Sequence, residues 1–189
     1  EMRGYMQDTD GTGRNDRNGR VKRLEDTDGD GRMDRVTIFA DELLLPRIVT
    51  PLDDRVIIRE THDPTFVSFR DTDGDDQLDE VKLLRPIQGG GEHGPHAVLL
   101  TPDGKSLMVV CGNQTKLMEY SKTRVPPIWG EDHLLPRMPD GRGFMRGVLG
   151  PGGAIYRVDP DGKDWELVSV GFRNQYDAAF NRQIGRAHV

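Results

Sequence analysis

The sequence predicts an all-β protein of the propeller type, and three observations carry that prediction. Short runs rich in Val, Ile, Leu and Phe recur at close spacing, each bounded by Gly, Pro, Asn or Asp. No segment sustains an apolar period of 3.6 residues, so helices are not expected. An aspartate-rich stretch, LEDTDGDGRMDRV from Leu24 to Val36, nearly repeats as FRDTDGDDQLDEV from Phe69 to Val81. That separation of about 45 residues is the length of one four-stranded propeller blade. The 189 residues then supply about three to four blades at roughly 40–50 residues each.

The elements follow in order. Arg20 to Leu24 and Arg35 to Phe39 flank the first aspartate loop. Arg55 to Arg59 and Thr65 to Phe69 come next, and Glu80 to Leu84 follows the second loop. Ala97 to Leu100 and Leu107 to Cys111 are joined by Pro102-Asp103-Gly104. The unbroken run LMVVC reads as a buried strand, with Cys111 as a small core hydrophobe. Ala154 to Val158 and Trp165 to Val170 are joined by Pro160-Asp161-Gly162, and Tyr176 to Phe180 is the last run. In both turns proline presets φ and glycine takes the left-handed position, which makes hairpins. A third Pro-Asp-Gly, Pro139 to Gly141, lies in the proline-rich segment from about 114 to 153. That segment is too irregular for a plain blade and is expected to be an insertion over one face of the propeller.

Composition narrows the function classes. With 34% apolar and 31% charged residues, the chain has little core to spare. Its net charge of −6 and lack of a dense Lys/Arg run argue against nucleic acid as a partner. No apolar run reaches the ~18 residues that span a bilayer. The single cysteine excludes an intrachain disulfide. Both ends read as cut, so the chain is expected to be a fragment: a truncated propeller domain over 1–183. The tail from Ile184 to Val189 matches an in-frame translation of a sequencing adapter and is expected to be an artefact. His188 is therefore not counted as a site.

Calcium takes six to eight hard oxygen ligands, and alternate side chains on a tight loop supply several from one segment. Asp26, Asp28 and Asp30 fit positions 1, 3 and 5 of such a loop, Arg32 offers its carbonyl, and Asp34 sits at position 9. An EF-hand would need a bidentate Glu at position 12 and flanking helices. Thr37 stands there between strand-like runs, so the loop is expected to close a β-hairpin instead. Asp71, Asp73, Asp75 and Asp79 repeat the spacing, with Asp76 in place of Gly31 and Lys82 at position 12. The second copy is expected to be the weaker. A degenerate third copy runs through Asp8, Asp10, Thr12, Gly13 and Asp16. The alternative for all three is a solvated acidic turn. Without the closing Glu, affinity is expected on the order of 10⁻⁴–10⁻³ M, the range of extracellular modules.

Two further segments carry chemistry. In Gly89-Gly90-Gly91-Glu92-His93-Gly94-Pro95-His96, two histidines and a glutamate can serve as metal ligands or a general base. A loop histidine held by a backbone carbonyl is the plainer alternative. In Gly171-Phe172-Arg173-Asn174-Gln175-Tyr176-Asp177, the arginine fork suits anionic oxygens, or it ties down a loop between blades. His62 and His133 sit in polar surroundings without companions.

Together these segments carry a resemblance. NGRVKRLEDTDGDGRMD, EHGPHAVLLTPDGKSLMVVCGN and LLPRMPDGRGFMRGVLGPGGAIYRVDPDGKDWELVSVGFRNQYDAAFN resemble the quinoprotein glucose/sorbosone dehydrogenase-type six-bladed propellers. Within these, the chain is most similar to the planctomycete and verrucomicrobial membrane-bound dehydrogenases that carry a C-terminal c-type haem domain. The resemblance implies pyrroloquinoline quinone (PQQ) as cofactor and a sugar or alcohol as substrate. It further implies structural calcium, an extracytoplasmic location (periplasmic or membrane-associated), and electron transfer to a haem c domain or cytochrome outside this chain. It assigns the general base to His93, and contacts with the quinone to Arg173 and Asn174, with His96 beside them. The enzymes have an acidic residue where this sequence has Asn113, and RNPQG where it has RNQYD. A non-catalytic, calcium-stabilised propeller that binds glycan or protein is the other reading.

Overall fold

The computed structural model describes residues 1, 15–60, 65–126, 152–181 and 187–188. They form an all-β structure that divides into two compact units, Glu1–Pro86 and Ile87–Val189. The first unit opens with an antiparallel hairpin, β1 (Gly19–Glu25) and β2 (Arg35–Leu43). Four strands follow as an antiparallel meander: β3 (Pro46–Pro51), β4 (Val56–Glu60), β5 (Thr65–Arg70) and β6 (Glu80–Pro86). Buried and exposed residues alternate along β3, whereas β4 is buried along most of its length and β6 is largely exposed. Ala40, Leu43, Ile58 and Phe69 make the centre of a core that Val21, Phe39, Val56, Val67 and Leu78 extend.

The second unit is a sheet in the order β7-β8-β10-β11-β9. Its main strands are β7 (Pro95–Leu100), β8 (Leu107–Cys111), β10 (Gly153–Val158) and β11 (Trp165–Phe172), paired antiparallel with one another in that order. The short β9 (Lys122–Thr123) lies parallel to β11 at the edge. Every residue of β8 is buried, as its unbroken apolar run predicts for a strand with a neighbour on each side. Trp165 packs edge-on against Tyr156, ring centroids 5.6 Å apart, and its indole N–H donates to the Gly162 carbonyl at 2.9 Å. The two Pro-Asp-Gly turns join β7 to β8 and β10 to β11 as expected, with Gly104 and Gly162 at φ 69° and 74°. A two-residue pairing, β12 (Ala179–Phe180) with β13 (Ala187–His188), completes the elements.

Two details of the strand assignment are corrected. A strand absent from the sequence reading, β3, forms between Pro46 and Pro51. It lies at the sheet edge, where a missing N–H need not break a ladder. The run expected from Tyr176 to Phe180 shortens to Ala179–Phe180. The expected insertion from about 114 to 153 lies mostly outside the described residues, and its described part contributes β9. The third Pro-Asp-Gly, His62, His133 and all of the degenerate third aspartate copy except Asp16 lie outside the described residues. Among the described residues no helix is long and apolar enough to cross a membrane.

Candidate functional site

The two acidic loops close the β1–β2 and β5–β6 hairpins, so each joins neighbouring strands. In the first, Asp26 accepts backbone N–H groups from Gly29 at 2.7 Å, Asp30 at 3.2 Å and Gly31 at 2.8 Å. Asp28 accepts from the Asp30 N–H, and Asp30 from the Arg32 N–H at 2.8 Å. At the neck, Asp34 receives the Thr27 N–H at 3.0 Å and its hydroxyl at 2.7 Å. The second loop repeats this pattern. Asp71 accepts from Gly74 and Asp76, Asp73 from Asp75, Asp75 from Gln77, and Asp79 from the N–H and hydroxyl of Thr72.

The Gly31 N–H, above all, holds the Asp26 carboxyl below the usual carboxylate range, and the Thr27 hydroxyl does the same for Asp34. Carboxylate oxygens of Asp26, Asp28 and Asp30 lie within 4.8 Å of one another, as do those of Asp71, Asp73 and Asp79. Asp34 and Asp75 stand outside these two triads. Each triad thus brings together three hard oxygen donors of the kind a divalent cation takes.

The second constellation sits at one end of the second unit's sheet, opposite the Pro-Asp-Gly turns. The registers bring the start of β7, the end of β8, the start of β10 and the end of β11 together there. The loop ahead of β7 runs beside the segment after β8: Gly112 N–H donates to Gly94, and Lys116 N–H to Gln88, at 2.9 and 2.8 Å. Gln114 holds both backbone groups of His93, its side-chain oxygen accepting the N–H and its own N–H meeting the carbonyl, each at 2.9 Å. Any Cβ at Gly112 would overlap the His93 carbonyl, so only glycine allows this approach.

His93 is only 3% exposed, and its Nδ1 is 2.7 Å from Asn113 Oδ1. His96 places Nε2 2.8 Å from Asn174 Oδ1, across 78 residues of sequence, and stacks on Tyr176 with centroids 4.4 Å apart. The Asn113 N–H donates to the Arg173 carbonyl at 3.0 Å, which ties the two segments together. Gln175, buried, donates its side-chain N–H to the Cys111 carbonyl. The Arg173 side chain is exposed at the same end.

The sequence-predicted residues His93, His96, Arg173 and Asn174 thus belong to one locus, remote in sequence from the acidic loops. The sequence reading missed Gln114 and Tyr176, and met Asn113 only as a neutral replacement for an acidic residue. The signal available was its position directly after the glycine that ends β8.

A family profile described as a domain of unknown function, DUF7133, matches residues 1–126. The chain belongs to that family. The DUF7133 match spans both acidic loops, His93, His96 and Asn113, whereas Arg173 and Asn174 lie beyond it. No match is found among curated proteins.

Proposed function

We propose that the chain is part of a six-bladed β-propeller of the quinoprotein sugar dehydrogenase type, working outside the cytoplasm, with calcium in its hairpin loops. One observation carries the reading: His93, His96, Asn174 and the Arg173 segment converge at one end of the four antiparallel main strands of the second unit's sheet. The antiparallel meander β3–β6 is the size of one such blade. Val81 and Leu83 on edge strand β6, and Leu24, Val36 and Ile38 on the first hairpin, are exposed apolar positions that neighbouring blades would cover.

In this reading PQQ, when bound, supplies a hydride acceptor. Arg173, Asn174 and His96 would hold it, the arginine favouring negative charge on the quinone oxygens. His93 would take the proton of the substrate hydroxyl, a sugar or an alcohol. Electrons would pass to a c-type haem domain of the longer protein or to a cytochrome.

The test is dye-linked oxidation of sugars and alcohols by the full-length gene product, with PQQ and calcium supplied. Activity should depend on the quinone and fall by about 10²–10⁴-fold in His93→Ala. Absence of quinone binding would sink the enzyme and favour the second reading, a non-catalytic calcium-stabilised propeller that binds glycan or protein. Asn113 favours that second reading, because a neutral amide cannot stabilise an imidazolium as a carboxylate does. Calcium is tested separately on the chain: ~10 mM calcium should raise Tm, by about 2.7 kcal/mol of stabilisation per site at a hundredfold excess over Kd. The gain should vanish when Asp26 and Asp71 are both replaced by Asn.

A further inference from the structure

We propose that Tyr176 is the platform for a sugar ring. Its outer face receives the C–H face of a neutral pyranose, whose hydroxyls meet the polar groups beside it. The inference rests on the reading above only for the ligand class, which the dehydrogenase and the glycan-binding propeller share.

The local chain holds this tyrosine outward. Gln175 is buried and donates its side-chain N–H to the Cys111 carbonyl, which pins the segment after β11 to the end of β8. A Cβ at Gly153 would collide with the Gln175 amide, so the anchor also sits tightly against the start of β10. The next residue, Tyr176, is 64% exposed. One face of its ring stacks on His96, with centroids 4.4 Å apart and planes 25° from parallel. His96 in turn meets Asn174, Nε2 to Oδ1 at 2.8 Å. The tyrosine ring is thus supported from behind and keeps its other face for solvent. Its hydroxyl has no hydrogen-bond partner among the described residues. A supported aromatic ring with few rotatable bonds loses little conformational entropy when a ligand covers it.

The neighbours select the kind of ring. Arg173 and Asp177 are both exposed on the same segment. The guanidinium only donates hydrogen bonds and the carboxylate only accepts them, whereas the Tyr176 hydroxyl does both. Each pyranose hydroxyl also donates and accepts, so this mixed rim serves it throughout. The axial C–H bonds of an all-equatorial pyranose form an apolar face of about the area of one aromatic ring, a match for a tyrosine that is apolar in its body and polar at its tip. A planar aromatic ligand would use the face but not the mixed rim, and a small ion the rim but not the face.

The test uses the chain without quinone and methyl β-D-glucopyranoside as the probe, read by saturation-transfer difference spectra. Transfer should favour the axial protons of one sugar face over the methyl group. Tyr176→Phe keeps the ring and should bind within about twofold of the unsubstituted chain, whereas Tyr176→Ala should bind about tenfold more weakly at an unchanged Tm. If Tyr176→Ala does not fold, Tyr176→Leu, which keeps apolar bulk over His96, takes its place with the same expected loss. Absence of transfer, transfer without preference for one face, or undiminished binding after loss of the ring would overturn the inference. The last of these would reduce Tyr176 to a cover for His96. Glucoside contact in a protein that binds no quinone would leave the platform standing and remove the dehydrogenase, so the two ideas fail separately.

Discussion

The two acidic loops share a hydrogen-bond pattern, and one of the positions at which they differ, Gly31 against Asp76, shows how a repeat is adapted to its surroundings. Gly31 has φ 86° and Asp76 has φ 65°, so both loops make the same left-handed turn. Glycine does so without strain, whereas an L-residue incurs a penalty that Asp tolerates better than most. Asp76 offsets it by reaching the first hairpin. Its carboxylate pairs with Arg23 and lies 3.9 Å from Arg35, while the Leu78 N–H donates to the Phe39 carbonyl at 2.9 Å. The first loop projects into solvent, with open space around Gly31, whereas the second is docked. The residue that departs from the first copy, Asp76, makes an anchoring contact.

The largest expected effect separates these terms. Asp76→Ala removes the two ion pairs and worsens the left-handed strain, and should cost about 2 kcal/mol. Gly31→Ala adds strain alone, about 1 kcal/mol, because nothing surrounds the new Cβ. Urea unfolding of both variants measures the difference. Equal losses would show that the pairs with Arg23 and Arg35 contribute nothing, and the docking account would fall.

A smaller effect isolates charge. Asparagine accepts the left-handed conformation about as well as aspartate, so Asp76→Asn keeps the turn and deletes the ion pairs. The loss should be about 0.5–1 kcal/mol, since Arg23 and Arg35 are half exposed. It should shrink at ~1 M salt, where the Debye length falls to about 3 Å. Gly31→Asn should change stability by only a few tenths of a kcal/mol, with no dependence on salt. A salt-independent loss at Asp76 would point to packing rather than charge.

What the sequence shows and hides follows the same division between local and distant. The strands on either side of each loop were legible from their β-branched and apolar residues between turn signals, and the unbroken run of β8 records its burial directly. The turn chemistry of Pro102-Asp103-Gly104 and Pro160-Asp161-Gly162 was legible because proline and glycine act locally. β3 was hidden by its flanking prolines, although Ile48 and Thr50 are buried between exposed Arg47 and Val49 in a clear period of two. Both histidine segments could be found by eye, but not which asparagine meets which ring. That pairing depends on strand ends brought together by sheet register, with 20 residues between one pair and 78 between the other. Tyr176 read as strand because its ring is apolar; it stacks on His96 instead. The partners of Asp76 were hidden for a related reason, since Arg23 and Arg35 lie in another hairpin.

The smallest expected effect concerns pH. Asp26 and Asp34 are held below the ordinary carboxylate range, by the Gly31 N–H and the Thr27 hydroxyl respectively. A carboxyl with a depressed folded pKa binds protons more weakly than in the unfolded chain. Its contribution is therefore complete above the unfolded value near 3.9 and is lost as pH falls through the folded one. With calcium chelated, Tm should be flat from about pH 6 to 5 and decline below about pH 4. Thr27→Val, which deletes the hydroxyl donor to Asp34, should lower Tm at neutral pH and make the acid decline shallower. A decline of unchanged steepness would show that the carboxylates at the neck of the first loop hold no stabilisation of their own. The first hairpin would then rest on its strand pairing and the core beneath Ala40 and Leu43.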